Sequence, residues 1–137
     1  MYQKRICIII VFLMCCPAVY AAGGKVTIHN ARFVYSMKYR SNDNEHVIHF
    51  DPQNEGGQYR LRGKRNFNII EVYVNENGTE KVCKCGEDAL FRWRTRHPVD
   101  VNYKSEYEGY DGKSISISGT LDRKLKTINC ACESKNK

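Results

Sequence analysis

Residues 31–40 read ARFVYSMKYR, and they carry the clearest structural signal in the chain. Every second side chain is apolar: Ala31, Phe33, Tyr35, Met37 and Tyr39. Because successive side chains of a β-strand point to opposite faces, this period of two predicts a long strand with one buried face.

Shorter stretches repeat the signal on both sides of this one. They lie at 26–28, 47–50, 58–62, 70–74, 99–103, 115–117 and 125–132. Asn77-Gly78, after the fourth of them, is a strong signal for a tight hairpin turn. Short strands at this spacing predict an all-β fold, either a small β-sandwich or a barrel. The chain has 137 residues, 42% of them hydrophobic and 27% charged, which suits one globular domain over residues 22–137.

The first 21 residues have the features of a cleavable signal peptide. Lys4 and Arg5 form a positive start, residues 6–16 are apolar, Pro17 ends that run, and Ala21 stands at the expected cleavage position. The alternative is a membrane anchor, but eleven apolar residues are short of the roughly twenty that a spanning helix needs. The sequence therefore predicts a secreted, extracellular protein without a membrane span.

Four of the seven cysteines follow this leader, as two Cys-x-Cys pairs: Cys83 with Cys85, and Cys130 with Cys132. In an oxidising compartment, disulfides are expected. If the pairs lie on neighbouring strands, the bridges are 83–132 and 85–130 for antiparallel strands, or 83–130 and 85–132 for parallel ones; we favour the antiparallel set. A zinc site is the competing interpretation, but its ligands are normally two to four residues apart.

Basic side chains form the first candidate binding surface. Removing Lys4 and Arg5 with the leader reduces the 22 Lys and Arg to 20, against 15 Asp and Glu, a net charge of +5. Two stretches place a cation at every second position: Arg60, Arg62 and Lys64, and then Arg92, Arg94 and Arg96. If both are strands on one face, their side chains form an anion-binding site; alternatively, they are ordinary solvated strand faces. The second stretch belongs to residues 87–97, which fit a strand better than the short helix that their charges also suggest.

A tyrosine-rich acidic segment is the second candidate surface. Tyr103, Tyr107 and Tyr110 fall within it, and tyrosine gives rigid amphipathic contact area in binding loops. An ordinary hairpin loop is the alternative. Asn77-Gly78-Thr79 fits the N-glycan acceptor pattern, so we also expect glycosylation at Asn77 in a eukaryotic secretory pathway.

Histidines give little support for catalysis. His46 and His49 lie near Asp51, but on a strand they face opposite sides, and His29 is remote in sequence. We therefore expect no catalytic residues, no metal and no cofactor. The resulting hypothesis is a small secreted interaction protein of the effector, toxin or immune-modulator type, which binds a protein or an anionic glycan or phospholipid through its basic surface. Nucleic acid is a less favoured ligand. A small hydrolase of the ribonuclease kind and a structural extracellular protein are the alternatives.

Overall fold

The structure is a computed structural model that describes residues 24–63, 66–92 and 98–135. The leader falls outside these ranges, as do Lys64, Arg94 and Arg96. Within the described ranges there are ten strands: β1 (Gly24–His29), β2 (Val34–Ser41), β3 (Asn44–His49), β4 (Gly57–Leu61), β5 (Asn66–Glu76), β6 (Thr79–Lys84), β7 (Leu90–Arg92), β8 (Val99–Tyr103), β9 (Ser114–Leu121) and β10 (Lys124–Ser134). The same ranges contain two single-turn 3₁₀ helices, Gly86–Asp88 and Glu106–Glu108. The all-β prediction is confirmed.

All ten strands belong to one sheet that curls into a nearly closed barrel. Its order is β3-β2-β5-β6-β10-β9-β8-β1-β4, with β7 also paired to β5. The pairs are antiparallel except for β1 with β8. Side chains help to close the seam between the two terminal strands: the Asp51 N–H donates to the Tyr59 hydroxyl and the Arg62 N–H to the Tyr39 hydroxyl, each at 2.8 Å.

Two-residue turns set the register of three hairpins. They are Asn42-Asp43, Asn77-Gly78 and Asp122-Arg123, and all six residues have positive φ. Such turns match the right-handed twist of the strands they connect, and Asn, Asp and Gly tolerate that backbone conformation. The turn predicted at Asn77-Gly78 is therefore confirmed.

The stretch at 31–40 differs from the prediction at its start. Residues 31–33 form a turn after Asn30, whose φ is +64°, so β2 begins only at Val34. A register shift between Val34 and Ser36 then breaks the alternation. As a result, Tyr35 is only half-buried, and its hydroxyl donates to the Glu80 carboxylate at 2.9 Å.

Both disulfides join β6 and its flank to β10. Cys83 is bonded to Cys132 and Cys85 to Cys130, which is the antiparallel set. The backbone register explains the choice, because Cys83 lies directly opposite Cys132 in the ladder. The bridges therefore fasten two neighbouring strands that are far apart in sequence.

The segment from 86 to 92 is helical for one turn and then extended. The 3₁₀ helix Gly86–Asp88 precedes β7, so the strand prediction holds for Leu90–Arg92, whereas residues 93–97 lie outside the described ranges. Phe91 is fully buried and packs towards Gly119 of β9. A side chain at Gly119 would meet the Phe91 ring, so this close approach depends on the glycine.

Strand directions divide the connections between two ends of the barrel. The turn at 30–33, the loop at 50–56, the turn at 77–78 and the loop at 104–113 share one end, which we name the tyrosine end. The turns at 42–43 and 122–123, residues 62–63 after β4, and β7 share the other, which we name the arginine end. Each of the two candidate surfaces has its own end.

Candidate functional site

Cations from five separate parts of the chain collect at the arginine end. The exposed ones are Lys25, Arg40, Arg60, Arg62, Arg92, Arg123 and Lys124, and Lys126 is half-buried beside them. The register places Lys25 opposite Arg60 on neighbouring strands, and β7 carries Arg92 to the start of β5. The fold thus gathers at one end a set of charges that is dispersed in sequence.

Most of these charges have no acidic partner in the part of the chain that the structure describes. Arg40 pairs with Glu45 at 3.0 Å, and the Lys126 ammonium donates to the Leu90 carbonyl at 3.0 Å. Within the described ranges, the other cations form no salt bridge. Asp43, Asp122 and the 3₁₀ helix that contains Glu87 and Asp88 also lie near this end, and the described cations still outnumber the acids there.

The two stretches predicted to carry alternating cations reach this end on separate strands. Arg60 lies in β4 and Arg62 just after it, whereas Arg92 ends β7. β4 pairs with β1 and β7 pairs with β5, so the two strands are not neighbours in the sheet. Whether their side chains form a single anion site stays a prediction, and Lys64, Arg94 and Arg96 lie outside the described residues.

Sequence reasoning missed five cations of this surface, namely Lys25, Arg40, Arg123, Lys124 and Lys126. The turn Asp122-Arg123 has no glycine to mark it, although the alternation that ends at Ile117 and resumes later implies a reversal between the two strands. Two apolar side chains lie among the cations: Leu125 is 79% exposed and Leu90 is 36% exposed. The surface therefore offers positive charge mixed with apolar area.

At the tyrosine end, Tyr103 is a core residue and unavailable to a partner, contrary to the sequence prediction. It is fully buried at the end of β8, where the loop begins. Its hydroxyl lies 2.6 Å from a carboxylate oxygen of buried Glu76 and accepts from the Lys81 ammonium at 2.9 Å. Period two accounts for this burial, because Tyr103 continues the inward-facing series of Val99 and Val101.

The other two tyrosines of this segment are exposed. Tyr107 is 60% exposed and stacks on Phe33 with ring centroids 5.6 Å apart, and its hydroxyl donates to the Asn77 amide oxygen at 3.1 Å. Tyr110 is 51% exposed, and the Lys104 ammonium lies 4.8 Å from its ring centroid. A cleft of about 310 Å³ opens beside the loop, lined by Lys81, Glu106, Asp111, Gly112, Lys113, Cys132, Glu133 and Ser134.

The histidines remain apart, as the spacing predicted for His46 and His49. The His29 Nε2 lies 3.3 Å from the Asp100 Oδ1, and the His46 and Tyr39 ring centroids are 5.1 Å apart. His49 is exposed at the end of β3. Among the described residues, no three His, Cys, Asp or Glu side chains are grouped so that they could hold a metal ion.

Burial raises the pKa of four tyrosines: Tyr35, Tyr39, Tyr73, whose pKa rises to about 12, and Tyr103. The folded protein therefore keeps these hydroxyls protonated more strongly than the unfolded chain does. We expect the contribution of these tyrosines to the free energy of unfolding to be fully present below about pH 10. Above that pH it should fall by up to about 1.4 kcal/mol per pH unit for each tyrosine. Denaturant titrations at rising pH test this, and Tyr103→Phe should make the decline shallower. An unchanged free energy of unfolding between about pH 9 and 11 would contradict it.

The chain matches no family model, no curated protein sequence and no solved structure. In the part of the chain that the structure describes, no helix is long and apolar enough to cross a membrane.

Proposed function

We propose that this chain is a secreted interaction protein that binds an anionic partner, of the sulfated-glycan type, through its arginine end. The observation that carries the proposal is the group of exposed cations at one end of the barrel that have no acidic partner among the described residues: Arg60, Arg62, Arg92, Arg123 and Lys124. Unpaired guanidinium groups suit sulfate and phosphate because their planar fork donates two parallel hydrogen bonds.

The barrel supports this surface mechanically. β1, β4 and the hairpin of β9 and β10 belong to one sheet, in which β8 lies between β9 and β1, and the Arg62 N–H donates to the hydroxyl of buried Tyr39. A preorganised surface binds better than a flexible one, since less freedom is lost on association. The exposed Leu125 and Leu90 add apolar contact for the carbon skeleton of a ligand.

Secretion belongs to the same proposal. Two disulfides and a leader of the signal-peptide type both suit an oxidising, extracellular destination. We propose in addition that Asn77 carries an N-glycan, because it is exposed in a hairpin turn and its amide oxygen can still accept the Tyr107 hydrogen bond after the amide nitrogen is substituted. A mass loss on glycosidase treatment of eukaryotic secreted material is expected, and an unchanged mass would count against it.

Retention on a heparin column tests the proposed binding surface. The triple variant Arg62→Gln, Arg92→Gln, Arg123→Gln should lose about tenfold in affinity at low salt, since three exposed ionic contacts of about 0.5 kcal/mol each sum to about 1.5 kcal/mol. Wild-type retention should itself fall steeply with salt, because the screening length drops from about 10 Å at 0.1 M to about 3 Å at 1 M.

A second triple variant is the matched control. Arg32→Gln, Lys104→Gln, Lys113→Gln removes the same formal charge from the tyrosine end, and it should elute close to wild type. Equal losses for the two triples would mean that only net charge governs retention, and the proposal of a localised site would be wrong.

A further inference from the structure

β3 is a terminal strand of the sheet and lacks the burial of the others. It pairs with β2 on one side; its other edge faces the seam towards β4, and in the part of the chain that the structure describes no strand pairs with that edge. None of its six residues is fully buried, and Val47 is 55% exposed. An open edge with an exposed β-branched residue is a template for pairing with another strand.

The backbone of β3 shows which residues face the open edge. The Ile48 carbonyl accepts from the Ser36 hydroxyl at 3.1 Å, and the Phe50 N–H donates to the Tyr35 carbonyl at 2.9 Å, so the even-numbered residues turn their backbone groups towards β2. The two-residue turn at 42–43 leads to the same assignment, because the residues that flank such a turn are hydrogen-bonded to each other and every second pair after them is as well. Glu45, Val47 and His49 therefore direct their N–H and C=O groups outward.

We propose that β3 pairs with β3 of a second copy of this chain, antiparallel and with the two-fold axis at Val47. Antiparallel partners exchange hydrogen bonds only between residues that both face the shared edge. Among symmetric registers, the one that pairs Val47 with itself matches Glu45 with His49 on each side. It satisfies the backbone groups of all three outward residues in both copies.

The side chains suit this register as well. Glu45, Val47 and His49 share one exposed face of β3, so Val47 meets Val47 of the second copy at the centre. At each end a Glu45 carboxylate stands opposite an imidazole that can donate to it. A like-charge pair would destabilise the interface; this arrangement contains none directly opposite. Arg40 already holds the Glu45 carboxylate at 3.0 Å, which orients it on the strand surface.

Cysteine crosslinking tests the register. Val47→Cys places two thiols directly opposite, at a Cα separation of about 5.5 Å, within the range that a disulfide requires. We expect Val47→Cys to form a linked dimer under mild oxidation. Glu45→Cys, on the same face two residues away, should crosslink far less because it lies opposite His49. Equal crosslinking of the two variants would overturn the register.

Sedimentation velocity tests the association itself. The wild-type protein, with its native disulfides intact, should show a dimer whose share rises with concentration. Val47→Lys should lose that dimer, because two lysines would then lie opposite each other, whereas Val47→Ile should keep it. Thermal unfolding of each variant verifies that it is folded. A wild-type monomer at all concentrations, or a dimer that survives Val47→Lys, would overturn the proposal.

Discussion

Replacing Cys83, Cys85, Cys130 and Cys132 together by alanine is expected to lower the free energy of unfolding by about 6 kcal/mol. The two bridges close chain segments of 49 and 45 residues. One bridge of that span lowers the entropy of the unfolded chain and so stabilises the folded state by about 4 kcal/mol. The second bridge is nested two residues inside the first, so it closes only a small additional ring and adds about 2 kcal/mol.

The nesting makes the losses non-additive. Removing either bridge alone should cost about 2 kcal/mol, since the other still closes nearly the same loop. Denaturant unfolding of the variants C83A/C132A, C85A/C130A and the quadruple variant measures all three values. A quadruple variant no less stable than either double variant would contradict the prediction.

Lys81→Met is expected to lower the free energy of unfolding by about 3 kcal/mol, because it removes one partner from a largely buried ion pair. The Lys81 ammonium lies 3.6 Å from the Glu76 carboxylate, and their side chains are 14% and 4% exposed. The ammonium also donates to the Gly112 carbonyl at 2.8 Å, so the change removes a contact that fixes the loop at 104–113.

Lys135→Met is the matched control. Lys135 pairs with Glu80 at the same 3.6 Å, but the two side chains are 49% and 44% exposed. Water solvates the Glu80 carboxylate when the lysine is removed, so the loss should stay below about 1 kcal/mol. Equal losses of stability for Lys81→Met and Lys135→Met in thermal or denaturant unfolding would contradict the prediction, because the burial of Glu76 would then not increase the cost of removing its partner.

Most strands and both disulfides could be predicted from the sequence, because side chains two residues apart on a strand lie on the same face. Cys83 and Cys85 therefore share a face in any fold that extends them, and the choice between the two sets of bridges depended only on whether the paired strands run parallel or antiparallel. The prediction was wrong at 31–33, where a turn after Asn30 competes with an apolar alternation. It was also wrong for Tyr103, which was assigned to the binding loop because the residues after it have a loop-like composition, whereas it is the last inward-facing residue of β8.

The composition of the arginine end was beyond sequence reasoning for a different reason. β4 and β7 are not neighbours, so their cations meet at one end only through the order and direction of the intervening strands. Local patterns do not encode that order. Lys25 and Lys124 gave no signal for the same reason: each has an ordinary strand-end environment in sequence, and only strand pairing brings them near the arginines.

Backbone amide shifts, followed by NMR while the mature protein is titrated with a short heparin-derived oligosaccharide, will show which end of the barrel binds the ligand. We expect saturable shifts concentrated at Arg60, Arg62, Arg92 and residues 123–126, with the amides of 106–112 unaffected. Shifts centred on the tyrosine end, or spread evenly over every exposed lysine and arginine, would contradict this expectation.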